Sequence, residues 1–187
     1  MSQDNPYVTR VDADMKLPGK RKQYFGKYRG TVINNVDPEL RGRIQALVPD
    51  VAGVFPTGWA LPCLPGAGAN NGVYAVPPIG AGVWMEFEGG DPDYPIWVGG
   101  FWGSTAERPV LSQLVPPGVP GITLQTLSGN GIVISDVPGT GGILIQCRTG
   151  ASILVNDVGI VIQNGKGASI ALTGPTVALN AGALAVT

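Results

Sequence analysis

The sequence predicts an all-β chain in two parts, and three observations carry that prediction. From Ile122 onward, apolar residues two apart recur as doublets: Ile122/Leu124, Ile132/Ile134, Ile143/Ile145, Ile153/Val155, Ile160/Ile162, Ile170/Leu172, Val177/Leu179 and Leu184/Val186, at intervals of 10, 11, 10, 7, 10, 7 and 7 residues. The 187 residues include 29 glycines and 17 prolines, a composition rich in turns and poor in helix formers. Residues 1–109 hold ten of the twelve Lys and Arg and eleven of the thirteen Asp and Glu, leaving only Asp136, Arg148, Asp157 and Lys166 beyond, so the chain changes character near its middle.

Global properties exclude several classes of function. A net charge of −1 with pI near 5.3 gives no general attraction to nucleic acid or to an anionic membrane. Cys63 and Cys147 fall in different parts, which disfavours a disulfide between them, and two cysteines without a histidine make no common zinc site. No cofactor is expected. The N-terminus MSQDNPYVTRVDADMK lacks the basic-then-apolar layout of a signal peptide, and no run of 18 apolar residues occurs. Synthesis and assembly are therefore expected in the cytoplasm of the producing cell.

Residues 1–27 read as an arm. Asp4, Asp12 and Asp14 precede Lys16, Lys20, Arg21, Lys22 and Lys27, interleaved with Tyr24 and Phe25. Basic residues beside aromatics suit stacking on a single nucleic acid strand. The acidic half offsets the basic half, however, and favours a solvated tail that docks on a neighbouring protein, so nucleic acid is an unlikely partner.

Residues 28–103 read as a small barrel. Tyr28 to Val36 is a strand, Asp37-Pro-Glu-Leu-Arg-Gly42 a tight turn, and Arg43 to Val48 the returning strand of a hairpin. Ala60 to Cys63 is a short proline-bounded segment, and Pro65 to Gly72 a flexible loop whose glycines fit neither phosphate-binding spacing. Gly82 to Glu88 alternates Val83, Met85 and Phe87 against Trp84, Glu86 and Glu88, and Gly89 to Asp93 turns into Tyr94 to Trp102. Five short strands in so few residues suit an OB-fold.

Residues 104–121 read as a linker and 122–187 as a β-repeat needle. An i, i+2 doublet puts two side chains on one face of a strand, and the Gly, Asn, Asp, Ser, Thr and Pro between doublets supply turns. One narrow strip cannot enclose its own core, and a single-chain solenoid needs coils of ~20 residues or more. Three strips facing one axis bury every doublet, and the spacing then favours a three-chain prism in which each strand edge is met by a neighbouring chain. The candidate trimer core is Ile132, Ile134, Ile143, Ile145, Ile153, Val155, Ile160, Ile162, Ile170, Leu172, Val177 and Leu179. Asn130, Asn156, Asn164 and Asn180 stand near turns, where turn formation is favoured over a place on the axis.

The hairpin from Gly30 to Pro49, the Trp59-Ala-Leu-Pro62 segment, the run from Pro77 to Gly99 and the doublet tract together resemble the central spike protein of contractile tails. That family takes in phage baseplate assembly protein V and the corresponding part of VgrG. The resemblance implies an OB-fold followed by an intertwined triple-stranded β-helix, a homotrimer that pierces the target outer membrane on sheath contraction, carried in a virion or injection particle. It also implies a baseplate hub protein, docked through the arm at Lys20, Arg21, Lys22 and Tyr24, and a PAAR-like tip protein seated on Leu184, Val186 and Thr187. Residues 104–121 leave no room for the lysozyme domain of some spikes, and only the arm stands where VgrG has its hub region, so a minimal spike is expected.

Two other classes compete. An enzyme would need a nucleophile, an acid or a metal cluster, and the group Glu86, Glu88, Asp91 and Asp93 is already explained by strand and turn chemistry. A barrel that binds single-stranded nucleic acid or polysaccharide would use Lys20, Arg21, Lys22, Tyr24, Tyr28 and Arg29.

Overall fold

The computed structural model describes residues 22–186, in two compact units that divide between Gly103 and Ser104. In the first unit the chain runs through β1 (Tyr28–Asn34), β2 (Gln45–Leu47), a single helical turn α1 (Pro49–Ala52), β3 (Leu61–Pro62), a small hairpin of β4 (Ala67–Gly68) and β5 (Asn71–Gly72), then β6 (Gly82–Phe87) and β7 (Pro95–Phe101). The main sheet has the order β2-β1-β6-β7-β3. Its two ends approach each other, because Ile44 and Ala60, just ahead of β2 and β3, exchange N–H to carbonyl bonds of 3.2 and 2.8 Å. The five strands thus form a nearly closed barrel.

Alternation along the strands fills it. Val32, Ala46, Val83, Met85 and Trp97 turn to one side and are buried with Ile44, Val48 and Ala60. Each large aliphatic member contributes roughly 1.5–3 kcal/mol of hydrophobic stabilisation. The Trp97 indole N–H donates to the Gly42 carbonyl at 3.1 Å, which ties β7 to the end of the β1–β2 turn.

That turn is organised by one carboxylate. Asp37 is 5% exposed and accepts backbone N–H groups from Glu39, Arg41 and Arg43 at 3.0, 2.8 and 3.2 Å. Nε and Nη2 of Arg43 donate to its Oδ1 at 3.0 and 2.7 Å. The Arg43 guanidinium holds the Asp37 carboxyl far below the usual carboxylate range; burial opposes this, and the backbone donors reinforce it. Arg43 also pairs with Glu39 at 3.0 Å and lies over the Trp59 ring, 5.6 Å from its centroid.

Three details depart from the sequence expectation. The helical turn α1 was not foreseen, since Pro49 at its first position and Asp50 beside it make a good N-terminus but one turn is too short to show a period. The segment expected as a flexible loop, Pro65 to Gly72, instead pairs Ala67 with Gly72 and Gly68 with Asn71, turning at Asn70 with φ +56°. The end of the arm is fastened to the barrel: the Tyr24 N–H donates to the Gly90 carbonyl at 2.8 Å, its hydroxyl to the Val51 carbonyl at 3.2 Å, and its ring packs with Tyr28 and Phe87.

The second unit is a single antiparallel meander of β8 (Gly121–Gln125), β9 (Gly131–Ser135), β10 (Gly142–Gln146), β11 (Ser152–Asn156), β12 (Gly159–Gln163), β13 (Ser169–Thr173), β14 (Thr176–Leu179) and β15 (Leu184–Val186). Each sequence doublet falls on one strand. Each strand pairs with its sequence neighbours in the same chain, so between β8 and β15 the edge pairing expected between chains is made within one chain.

The folded-state pKa of Asp37 is depressed, so its stabilising contribution is full above the unfolded value near ~4 and is lost as pH falls through the lower folded value. Asp37→Asn is expected to lower the melting temperature of the barrel at pH 7 by on the order of 5 °C. The gap from wild type should narrow below about pH 4. Tryptophan fluorescence reads this unit alone, because Trp59, Trp84, Trp97 and Trp102 all lie in it. Superimposable melts at pH 7 would contradict this account of the turn.

Candidate functional site

The meander brings the doublets into two aliphatic columns across all eight strands. One runs Leu124, Ile132, Ile145, Ile153, Ile162, Ile170, Leu179, Leu184, and the other Ile122, Ile134, Ile143, Val155, Ile160, Leu172, Val177, Val186, as successive partners in register. From Ile132 to Val177 the doublet side chains other than the column ends are each 37–45% exposed, and Ile122, Leu124 and Leu184 on the end strands reach 56–62%. This even exposure marks a face that no described residue of the second unit covers. A contiguous exposed apolar face of this kind marks an interaction surface.

The opposite face differs in chemistry. Its central column passes from Val133, Leu144, Leu154 and Val161 to Ala171 and Ala178, flanked by Gln125, Ser135, Gln146, Ser152, Asn156, Gln163, Ser169 and Thr173. Gln163 Nε2 donates across the ladder to Ser152 Oγ at 3.0 Å. The segment read as a linker from the sequence lies on this face as a 3-10 turn, Val110–Leu114, and buries Leu111 and Val133. Its Leu111 N–H donates to Gln125 Oε1 at 2.8 Å, and Gly131 makes room: a Cβ there would stand 2.5 Å from Leu111 Cδ1. Sequence reasoning missed Leu111 because a lone leucine in a proline-rich stretch shows no period. Among the described residues, one face is thus polar-flanked and partly covered by the 3-10 turn, while the other is aliphatic and exposed.

Turns alternate between the two edges of the sheet. On one edge are 126–130, 147–151, 164–168 and 180–183; on the other are 136–141, 157–158 and 174–175. The three five-residue turns share one form. Thr126, Cys147 and Asn164 donate their N–H groups to the carbonyls of Asn130, Ala151 and Ala168 at 2.9, 2.9 and 3.1 Å, with Gly129, Gly150 and Gly167 in the fourth place at φ +89°, +92° and +103°. The four asparagines serve these turns. Oδ1 of Asn130 accepts the Arg148 N–H, that of Asn156 the Val158 N–H, that of Asn164 the Lys166 N–H and that of Asn180 the Ser169 N–H, at 2.8–3.0 Å.

The remaining candidates are dispersed. Lys20, Arg21 and Thr187 lie outside the described residues, and Lys22 sits over the Tyr24 ring at 4.9 Å. Leu184 lies on β15, the last strand of the sheet. In the barrel, Tyr24 and Tyr28 pack against Phe87, and Arg29 lies over Trp84 and Phe101 at 5.3 and 5.1 Å, so these rings face other side chains. Glu86 is paired with Lys27, and Asp91 Oδ1 accepts the Asp93 N–H at 3.0 Å. Cys63 and Cys147 are free thiols. Among the described residues no group of three or more His, Cys, Asp or Glu could hold a metal, and no helix is long and apolar enough to cross a membrane.

A small barrel joined to a one-layer sheet with a bare aliphatic face defines a structural protein that works as an assembly of its own copies. Comparison with protein families agrees. Residues 28–102 match the type VI secretion system/phage-baseplate injector OB domain, and residues 121–185 match the phage baseplate V C-terminal trimerisation domain. The chain belongs to the phage baseplate V family: it is a structural central spike of the baseplate, and its trimerisation domain makes it a homotrimer. No curated protein matches the chain.

Placing the aliphatic columns at the trimer interior gives a direct expectation. Ile145→Asp or Ile162→Asp buries three carboxylates together and should abolish trimer formation, whereas Leu154→Asn on the opposite face should leave it intact. Sedimentation velocity of the purified variants reads this. A soluble, intact trimer of either aspartate variant would place the doublets outside.

Proposed function

We propose that the trimeric needle pierces the outer envelope of the target cell when the tail sheath contracts, joining a baseplate hub to a separate tip protein. The observation that carries this reading is the eight-stranded sheet with one wholly aliphatic face. Three such faces turned to one axis give a rod with a dry core, in which each chain's ladder bonds are already made. Force along the rod then meets many backbone bonds and a continuous apolar interior, and no single strand can peel away without exposing its doublet. Baseplate placement follows from the family; assembly in the cytoplasm of the producing cell is part of the proposal.

With strands spaced ~4.8 Å apart, eight of them make a needle of about 40 Å, close to one bilayer with its headgroups. Leu184 is exposed on β15, an edge strand of the sheet. A PAAR-like tip protein would dock there. Lys20, Arg21, Lys22 and Tyr24 would meet the hub, with Tyr24 fixing the root of the arm to the barrel. The rings of Tyr24, Tyr28, Trp84 and Phe101 are packed on other side chains, which favours this reading over a stacking platform for single strands or sugars.

The needle can be shortened without disturbing its pattern. Removing residues 157–173 joins Asn156 of β11 to the Gly174-Pro175 turn and β14, replacing one two-residue turn by another on the same edge and taking out two strands, about 10 Å. Particles carrying this variant should assemble, contract and deliver markedly less cargo or killing than wild type. Undiminished delivery would contradict the piercing role.

A further inference from the structure

We infer that the three chains of the needle close edge to edge, with the basic turns of one copy set against the acidic turns of the next. The inference rests on the homotrimer and names the surface that joins its copies. Only four charged residues follow residue 109, and all four are exposed in or beside turns. Arg148 and Lys166 belong to the turns 147–151 and 164–168 on one edge of the sheet, while Asp136 and Asp157 belong to the turns 136–141 and 157–158 on the other. No ion pair within the chain involves any of them among the described residues. The backbone N–H groups of Arg148 and Lys166 are held by Asn130 and Asn164 at 3.0 and 2.8 Å, which fixes where the two cations leave the sheet.

Cyclic symmetry decides what these edges meet. If three identical sheets turn their aliphatic faces to one axis, each wall's first edge must abut the next wall's second edge, a heterologous contact that closes into a ring. Because turns alternate, the turn bearing Arg148, between β10 and β11, falls midway in height between the turns bearing Asp136 and Asp157 on the facing copy. It stands one strand spacing, ~4.8 Å, from each. Lys166, between β12 and β13, falls one spacing beyond Asp157. The turns interleave and each cation faces an anion. A contact between like edges would instead set cation against cation. Closure through the free edges of β8 and β15 would make a barrel of three eight-stranded sheets, wider than the roughly 16- to 18-stranded barrels that hold a water channel, and would leave the aliphatic columns wet. Exposed ion pairs of this kind add little stability, so their role is to select parallel copies and one direction of closure.

Cysteine cross-linking tests the contact by position, without relying on its energy. In the full chain with Cys63→Ser and Cys147→Ser, the pair Asp157→Cys/Lys166→Cys should give, on mild oxidation, a covalent trimer that migrates at three times the chain mass on a non-reducing denaturing gel. Asp157→Cys alone and Lys166→Cys alone should give no cross-linked species. Covalent dimers from either single variant would mean that like edges meet. A double variant that is trimeric by light scattering yet stays uncross-linked would overturn the edge pairing while leaving the trimer standing. A double variant that is monomeric by light scattering, with a monomeric wild type beside it, would remove the homotrimer and this inference with it.

Discussion

Everything in the second unit depends on covering one aliphatic face. Eight short strands pair within the chain and satisfy their own backbones, yet the sheet they form is one layer thick and carries two unbroken columns of Ile, Leu and Val on a single side. A single-layer sheet has no interior. In the proposed trimer the hydrophobic stabilisation of this face is gained by association, which couples folding of the unit to assembly.

The rest of the unit serves that face. The polar flanks of the opposite face and the 3-10 turn carrying Leu111 distinguish that side from the doublet face, which the proposal turns toward the other copies. Turns whose fourth residue is glycine reverse the chain tightly enough to keep the two columns in register. The decline from Leu144 and Leu154 to Ala171 and Ala178 on the opposite face reduces side-chain bulk toward the C-terminus without touching the doublet columns. The first unit depends on its own, ordinary core, with the Asp37 carboxylate gathering the β1–β2 turn and Trp97 tied to the end of it.

Much of this was legible in the sequence because it is periodic. Every doublet became a strand, since alternation of side chains is imposed by the pleat itself and survives whatever tertiary partners do. The two-edge arrangement was also written in the doublet intervals: the spacings of 10 mark the five-residue turns of one edge and those of 7 mostly the two-residue turns of the other. Non-periodic features were not legible. The bond of Arg43 to Asp37 closes across a turn in which Leu40 takes φ +55°, a conformation that no propensity of leucine announces. The helical turn α1 and the hairpin of β4 and β5 are shorter than any pattern. Pairing within the chain could not be told from pairing between chains, because both satisfy the same backbone groups with the same side chains.

The central claim is that the doublet face is the inside of a homotrimer. The most direct test is the solution mass of the purified chain by light scattering, with a chain ending at Pro120 measured beside it. The account predicts a mass near three times 19.3 kDa for the full chain and its loss on truncation. A stable monomer at both lengths would contradict it.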